Sequence, residues 1–247
     1  MIATAWRWLR SALFVAQMYL MMPLMAVVFT PLAIWRREWA FHGIHTYTLW
    51  VRWTARRMVG LRSELRGTVP RGAVLIAAKH QSFFDIILMV SVLDRPKFIM
   101  KRSLVWAPIL GWYALRIGCV PVDRGKRGRA VQQMVEGVRG AGAEPGQLII
   151  YPQGTRVAPG VHLPYKIGAG VLYSELDQVC VPAATNVGVF WPRIGIYRRP
   201  GLAVVEFLDP IPPGLPQEDF MAALEERVEA ASNRLMAEAG FPADAAP

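Results

Sequence analysis

Two side chains in this sequence have the types and the spacing to move a proton. His80 and Asp85 open and close the stretch HQSFFD at positions 80–85. A helix turns about 100° per residue, so side chains five apart on one regular helix do not face each other. With His80 in a turn and Asp85 in the first turn of a helix, the carboxylate can reach back to one imidazole nitrogen. It then fixes the tautomer and favours the imidazolium. The other nitrogen is free to take a proton from a hydroxyl. Alone the pair is a weak signal, because in a chain with 4 histidines such a spacing arises by chance in about one chain in five.

A second stretch, YPQGTR at 151–156, follows the apolar run QLII. Pro152 and Gly154 impose a turn, Gly154 lets a ligand approach the backbone, and Thr155 and Arg156 supply a hydroxyl and a planar fork suited to phosphate. Between the two stretches, positions 97–130 place Lys101, Arg102, Arg124, Lys126, Arg127 and Arg129 around aromatic and aliphatic residues. That mixture suits a ligand with an anionic head and an apolar tail. A solvated basic face would read the same way.

These stretches need elements to hold them. The run AVLIAA at 73–78 reads as a buried strand, and SFFDIILMV after it reads as a helix capped by Ser82. His80 therefore falls in the turn at a strand's carboxyl end, where open α/β sheets place their sites. The spacing predicts strands at 62–66, 73–78, 97–100, 119–122, 148–151, 179–187 and 202–208. Helices are predicted at 83–92, 108–116, 128–139, 168–175 and 218–238. This alternation implies an α/β fold: a mixed, largely parallel sheet of about seven strands covered by helices.

The amino-terminal quarter differs. Positions 11–35 carry no charge, and 25 residues as one helix reach roughly 38 Å, enough to cross a hydrocarbon core of about 30 Å. Pro23 and Pro31 are expected to break that run. Arg7 and Arg10 before it are matched by Arg36 and Arg37 after it, so the positive-inside rule puts both ends on the cytoplasmic side. The next segment, 38–60, carries Arg52, Arg56 and Arg57 with Trp39, Phe41, Trp50 and Trp53, and reads as an interfacial helix. Residues 3–59 are thus read as a helical hairpin sunk into one leaflet. The division expected is a membrane-associated segment at 1–60 and an α/β domain at 61–247. A cleaved signal peptide fits less well, because the apolar run is too long and no small-residue cleavage site follows it.

The balance of 28 Lys and Arg against 18 Asp and Glu gives a formal charge of +10, which implies anionic company: nucleic acid, an anionic membrane or phosphorylated substrates. A hydrophobic share of 53% with 9 Trp suits a membrane-associated protein. No zinc spacing, single-strand-binding aromatic motif or lysine-rich tail supports nucleic acid. Cys119 and Cys180 lie in apolar runs without metal spacing and read as reduced core thiols of a cytosol-facing protein.

Four blocks together carry a resemblance. HQSFFD, then KRSL with PILGW and VPVDR, then YPQGTR, then VPAATNVG at 181–188, occur in the order of the motifs of the 1-acyl-glycerol-3-phosphate acyltransferase family, which the chain resembles from 73 to 190. The resemblance implies transfer of a fatty acyl group from an acyl-carrier-protein or CoA thioester to the free hydroxyl of a lysophosphatidic acid, giving phosphatidic acid. It implies His80 as general base, Asp85 as its orienter, and Lys101, Arg124, Gln153, Gly154, Thr155 and Arg156 around the acceptor and its phosphate. It implies no metal or organic cofactor, and its cytosolic donors together with the equally basic flanks of 11–35 put the protein on the cytoplasmic face of the cell's inner membrane. Two positions depart from the pattern: Gln153 stands where the family has glutamate, and Ser103 where a glutamate is usual. Gln153 has no acid–base chemistry, so its role there is hydrogen bonding.

Other readings stay open at this point. The acceptor could be glycerol-3-phosphate or a lyso-aminolipid. The chain could be a non-catalytic lipid-binding protein, against which the presence of both His80 and Asp85 counts. A serine hydrolase would use Ser82, although capping is the better use of a serine at a helix start.

Overall fold

The computed structural model describes residues 2–123, 127–141 and 145–242. In chain order the elements are α1 (Ile2–Trp35), α2 (Glu38–Thr54), β1 (Leu61–Arg66), β2 (Val74–Ala78), α3 (Phe83–Val90), β3 (Pro96–Lys101), α4 (Leu110–Arg116), β4 (Val120–Val122), α5 (Arg127–Ala141), β5 (Gln147–Ile150), α6 (Gly168–Leu176), β6 (Cys180–Thr185), α7 (Val187–Phe190), β7 (Gly201–Phe207) and α8 (Gln217–Glu238). A π-helical turn at Ala55–Val59 extends α2, and a 3-10 turn at Arg102–Trp106 follows β3.

The strands form a seven-stranded sheet in the order β1-β7-β6-β2-β5-β3-β4. Neighbours are parallel except β6 and β7. The five strands β6-β2-β5-β3-β4 therefore point their carboxyl ends to the same edge, and β7 and β1 run the other way. Every residue of β5 and of β6 is buried, as expected of strands covered by helices on both faces. One face packs on Phe14 and Met18 of α1, Val51 of α2 and Phe84 and Leu88 of α3. The other packs on Met134 and Val138 of α5, Leu172 of α6 and Phe220, Leu224 and Val228 of α8.

The strand and helix expectations for 61–238 agree with these elements to within a residue except that α3 ends at Val90 rather than 92, α5 ends at Ala141 rather than 139, α7 was not expected, and two further boundaries move. Helix α4 starts at Leu110 rather than 108, because Ile109 takes φ 62° and ψ −60° and the Leu110 amide donates to the Pro108 carbonyl at 2.6 Å. That is a γ-turn, which a β-branched residue adopts only under strain. Strand β6 ends at Thr185 rather than 187. The Thr185 hydroxyl accepts from the Val187 amide at 3.1 Å and turns the chain into α7.

A larger correction concerns the amino-terminal run. Pro23 and Pro31 lie inside α1 without ending it. Each costs a ladder hydrogen bond, about 3 kcal/mol in an ordinary helix interior, but cooperative turns on either side and packing on α2 outweigh that local cost. Helix α2 returns along α1: the Gln17 amide donates to the Thr54 hydroxyl at 3.0 Å, the Trp50 indole donates to Gln17 at 2.8 Å, and the Tyr47 hydroxyl donates to the Met18 carbonyl at 3.2 Å. Near the turn between the helices, Gly43 abuts Phe29; a Cβ there would lie 3.1 Å from the Phe29 Cβ. By length and composition, 32 residues of α1, Thr4–Trp35, are apolar enough to cross a membrane, and only 11% of the most apolar window is buried.

Candidate active site

The sheet order brings the sequence blocks into a row. HQSFFD follows β2, and YPQGTR follows β5, its parallel neighbour, with Ala77 level with Ile150. VPAATNVG runs through β6 on the other side of β2, with Ala78 level with Ala183. KRSL leaves β3 beside β5. All four blocks emerge at one edge, as expected for a site outside the carboxyl ends of parallel strands.

His80 sits in the turn, and its Nδ1 lies 3.0 Å from Asp85 Oδ1 and 3.2 Å from Oδ2. Asp85 is fully buried. Its Oδ2 accepts from the main-chain amides of Gln81 at 2.9 Å and Ser82 at 2.8 Å, while the Ser82 hydroxyl accepts from the Phe84 amide at 3.3 Å. Ser82 and Asp85 form a capping box for α3. An ionised carboxylate only accepts, so the shared hydrogen belongs to His80 Nδ1 and Nε2 carries the lone pair. The imidazole stacks on Tyr151, with ring centroids 3.9 Å apart and planes at 16°. Burial, and then the nearby Asp85 carboxylate, holds the Tyr151 phenol well above its usual pKa. It therefore stays neutral beside the base. The His80 carbonyl accepts from the Val157 amide at 2.7 Å, which stitches the base turn to the end of the YPQGTR turn.

His80 lies on the wall of a cavity of about 710 Å³ running between the sheet edge and the paired helices α1 and α2. Its apolar walls include Met22 and Phe29 of α1, Gly43 and Tyr47 of α2, Phe83 and Ile87 of α3, and Ile109 and Tyr113 around the start of α4. Its polar lining includes Thr48, Lys101, Gly154, Thr155, Arg156 and Arg193. Arg156 donates to the Arg193 carbonyl at 3.2 Å, and Arg193 donates back to the Arg156 carbonyl at 3.4 Å, so the two residues tie their segments together on the cavity wall. Gly154 takes φ +69°, and a Cβ there would lie 2.8 Å from the Lys166 ammonium nitrogen. Only glycine gives that turn its path without strain.

Of the residues singled out in the sequence, His80, Lys101, Gly154, Thr155 and Arg156 line this cavity, with Asp85 directly behind His80. Gln153 is 2% exposed and is not part of the cavity lining. Its amide nitrogen donates to the Leu163 carbonyl at 3.3 Å, and its Oε1 is buried with no partner among the described residues. Arg124 lies outside the described residues. Arg193 and the walls from α1 and α2 were not expected, and no motif marks them. Tyr151 could have been found, since it opens the second block on the strand next to β2. Cys119 also lines the cavity, but burial pushes its thiol up to about 12. It is therefore protonated and a poor nucleophile.

A histidine–carboxylate pair at a sheet edge, on the wall of a largely apolar cavity that Lys101, Arg156 and Arg193 also line, has the chemistry to move a proton on an amphiphile with an anionic head. The chain belongs to the acyltransferase family: the family model described as Acyltransferase matches residues 61–186. It is similar to a 1-acyl-sn-glycerol-3-phosphate acyltransferase of Pseudomonas aeruginosa, with 27% identity over 192 residues covering 75% of this chain and 73% of that protein. It is also similar to the human 1-acyl-sn-glycerol-3-phosphate acyltransferase alpha, with 30% identity over 176 residues, 69% of this chain and 62% of that protein. The chain thus spans about three fifths of the human relative. In fold it resembles the crystal structure of the 1-acyl-sn-glycerophosphate acyltransferase PlsC of Thermotoga maritima, with a TM-score of 0.76 and 19% identity, covering 94% of this chain and 99% of that one.

Proposed function

We propose that this acyltransferase moves a fatty acyl group from an acyl-carrier-protein or CoA thioester to the sn-2 hydroxyl of 1-acyl-sn-glycerol-3-phosphate, forming phosphatidic acid. The observation that carries the reading is that His80 shares the lining of a cavity of about 710 Å³, mostly apolar along its walls, with Lys101, Arg156 and Arg193. An acyl chain fits the apolar part, and a phosphate fits the cations. The names of the relatives agree with such an acceptor.

In this mechanism Nε2 of His80 takes the proton of the acceptor hydroxyl as its oxygen attacks the thioester carbonyl. Asp85 holds the ring and stabilises the imidazolium. The tetrahedral intermediate collapses to the ester, the C–S bond breaks, and the imidazolium returns its proton to the leaving thiolate. The histidine ends as it began. The Thr155 amide and hydroxyl serve the phosphate, the Gly154 amide being committed to the Tyr151 carbonyl at 2.8 Å, with Gln153 shaping the turn beneath them and Arg124 adding a further cation. No enzyme nucleophile, metal or redox group is required by this chemistry.

Residues 1–60 act as the membrane-associated segment of the 61–247 domain, placing the site at the cytoplasmic face of the inner membrane, against an anionic leaflet. A lysolipid there and a water-soluble thioester meet at the cavity. An acyl-transfer assay with radiolabelled acyl-carrier-protein and CoA donors, against lysophosphatidic acid, glycerol-3-phosphate and a lyso-aminolipid, tests the reading. Phosphatidic acid formation supports it. Transfer only to another acceptor, or none in well-folded protein, overturns it.

A further inference from the structure

A lysine that the mechanism does not use lies buried next to the base. Lys79 is 3% exposed, and its ammonium nitrogen is 2.7 Å from each carboxylate oxygen of Glu229 on α8. A buried ammonium is tolerated only when its charge is matched. Glu229 therefore belongs with that placement of Lys79. It has one more partner: the Tyr165 hydroxyl donates to Glu229 Oε1 at 2.9 Å. Burial and then the Glu229 carboxylate push the Tyr165 phenol far above its usual range, so it remains a donor.

The three residues come from parts of the chain that all bear on the site. Lys79 precedes His80. Tyr165 precedes Lys166, whose amide donates to the Pro152 carbonyl at 2.9 Å and so fixes the start of the anion-binding turn. Glu229 lies on one stripe of α8 with Glu225, Ser232 and Met236, spaced four, three and four residues apart. Each of the others also reaches a site segment. His162 lies 2.7 Å from Glu225, the Thr185 amide donates to the Ser232 hydroxyl at 3.3 Å, and the Gln81 amide nitrogen donates to the Met236 sulfur at 3.4 Å. This stripe lies outside the 61–186 region that defines the family.

We propose that Glu229 is a positioning residue. Through Lys79 on one side and Tyr165 on the other, it fixes the separation between the base turn and the anion-binding turn, and with it the distance from His80 to the acceptor's anionic group. The kinetic part of this inference rests on the acyl-transfer reading; the structural part does not.

Three variants of the full chain in detergent or vesicles test it. Tyr165→Phe leaves no unpaired charge and should raise the acceptor KM about tenfold, the effect of one hydrogen bond to a charged group, with the donor KM unchanged. Lys79→Met with Glu229→Met removes both charges in similar volume and should keep or raise Tm, yet lower kcat by about 10- to 100-fold through misplacement of the base. Lys79→Arg, which keeps the charge, should stay within about threefold of wild type. A double variant with wild-type Tm, kcat and acceptor KM overturns the proposal, because the network is then structural only. Hydrogen exchange of peptides covering 79–85 and 152–166 reads the same coupling without turnover: faster exchange of both in Tyr165→Phe supports it, and unchanged exchange overturns it. If wild type transfers acyl groups to no acceptor, the functional reading has failed, and the exchange result decides the proposal alone.

Discussion

Asp85 holds His80 with both carboxylate oxygens, and with one of them it also holds the turn that carries His80. Oδ1 is 3.0 Å from the imidazole Nδ1, and Oδ2 accepts the amides of Gln81 and Ser82 at 2.9 and 2.8 Å. One side chain thus sets both the tautomer of the base and the local path of the chain. Asp85→Asn keeps an oxygen for the two amides and turns its NH₂ toward His80, which forces the hydrogen onto Nε2 and removes the lone pair that takes the proton. A loss of about 10³- to 10⁴-fold in kcat with nearly unchanged Tm is expected, the range for a base held in the wrong tautomer. His80→Ala should fall to background. Turnover within tenfold of wild type in a folded His80→Ala protein rules out the general-base role.

Arg156 should act on binding more than on chemistry. Loss of one charge-assisted contact costs about 1.5–3 kcal/mol, a factor of roughly 10 to 150. Arg156→Ala should raise the acceptor KM by that factor and leave the donor KM unchanged; lysine there should recover only part, since an ammonium keeps the charge without the fork. Varying each substrate in turn decides the matter. A donor-specific defect assigns Arg156 to the donor's carrier arm instead.

Gln153 is matched to its surroundings as an amide. Its NH₂ donates to the Leu163 carbonyl, whereas a carboxylate at the same place would bring two acceptors together. Burial raises a carboxyl's pKa, so the carboxyl introduced by Gln153→Glu binds its proton more tightly folded than unfolded. The variant's deficit should therefore be smallest below the unfolded carboxyl value of about 4.3 and grow as pH rises through the folded value. Thermal melts of variant and wild type from pH 4 to 8 check this. A constant difference in Tm shows that the side chain escapes the buried position.

The cavity wall offers control of chain length. Gly43→Ala places a methyl 3.1 Å from the Phe29 Cβ and 3.4 Å from Tyr113 and should shift preference toward shorter acyl chains, while Phe29→Ala should shift it toward longer ones. Competition among thioesters of different length is the measurement. Two shifts in the same direction would exclude this part of the cavity as the acyl site.

Cys119 and Cys180 are both buried, so a cysteine introduced at exposed Glu218, beside Gln217, would supply the accessible thiol. In intact cells it should resist a membrane-impermeant maleimide and react after lysis. Labelling before lysis places the α/β part outside.

The fold of 61–238 was legible because strands buried on both sides read as short apolar runs between turn residues, as in QLII before YPQGTR and AVLIAA before HQSFFD. The base pair was legible because a strand, a cap and a carboxylate follow one another locally. What the sequence concealed is non-local. The continuity of α1 through Pro23 and Pro31 depends on cooperative helix formation and packing that a proline-by-proline reading ignores. The stacking of Tyr151 on His80 depends on β2 and β5 being neighbours. Arg193 reaches the cavity from a loop and Glu229 reaches Lys79 from a helix, both far along the chain, with no periodic or motif signal to mark them.

The hydrogen bond from the Val157 amide to the His80 carbonyl, at 2.7 Å, joins the two turns through main chain alone. The join uses none of the side chains at 153, 155 and 156, although position 154 must stay glycine for the turn to keep its path. Substrate preference in that turn can therefore drift, or be engineered, while the base keeps its address. A protein carrying glutamine in place of glutamate at 153 is what such freedom would leave behind.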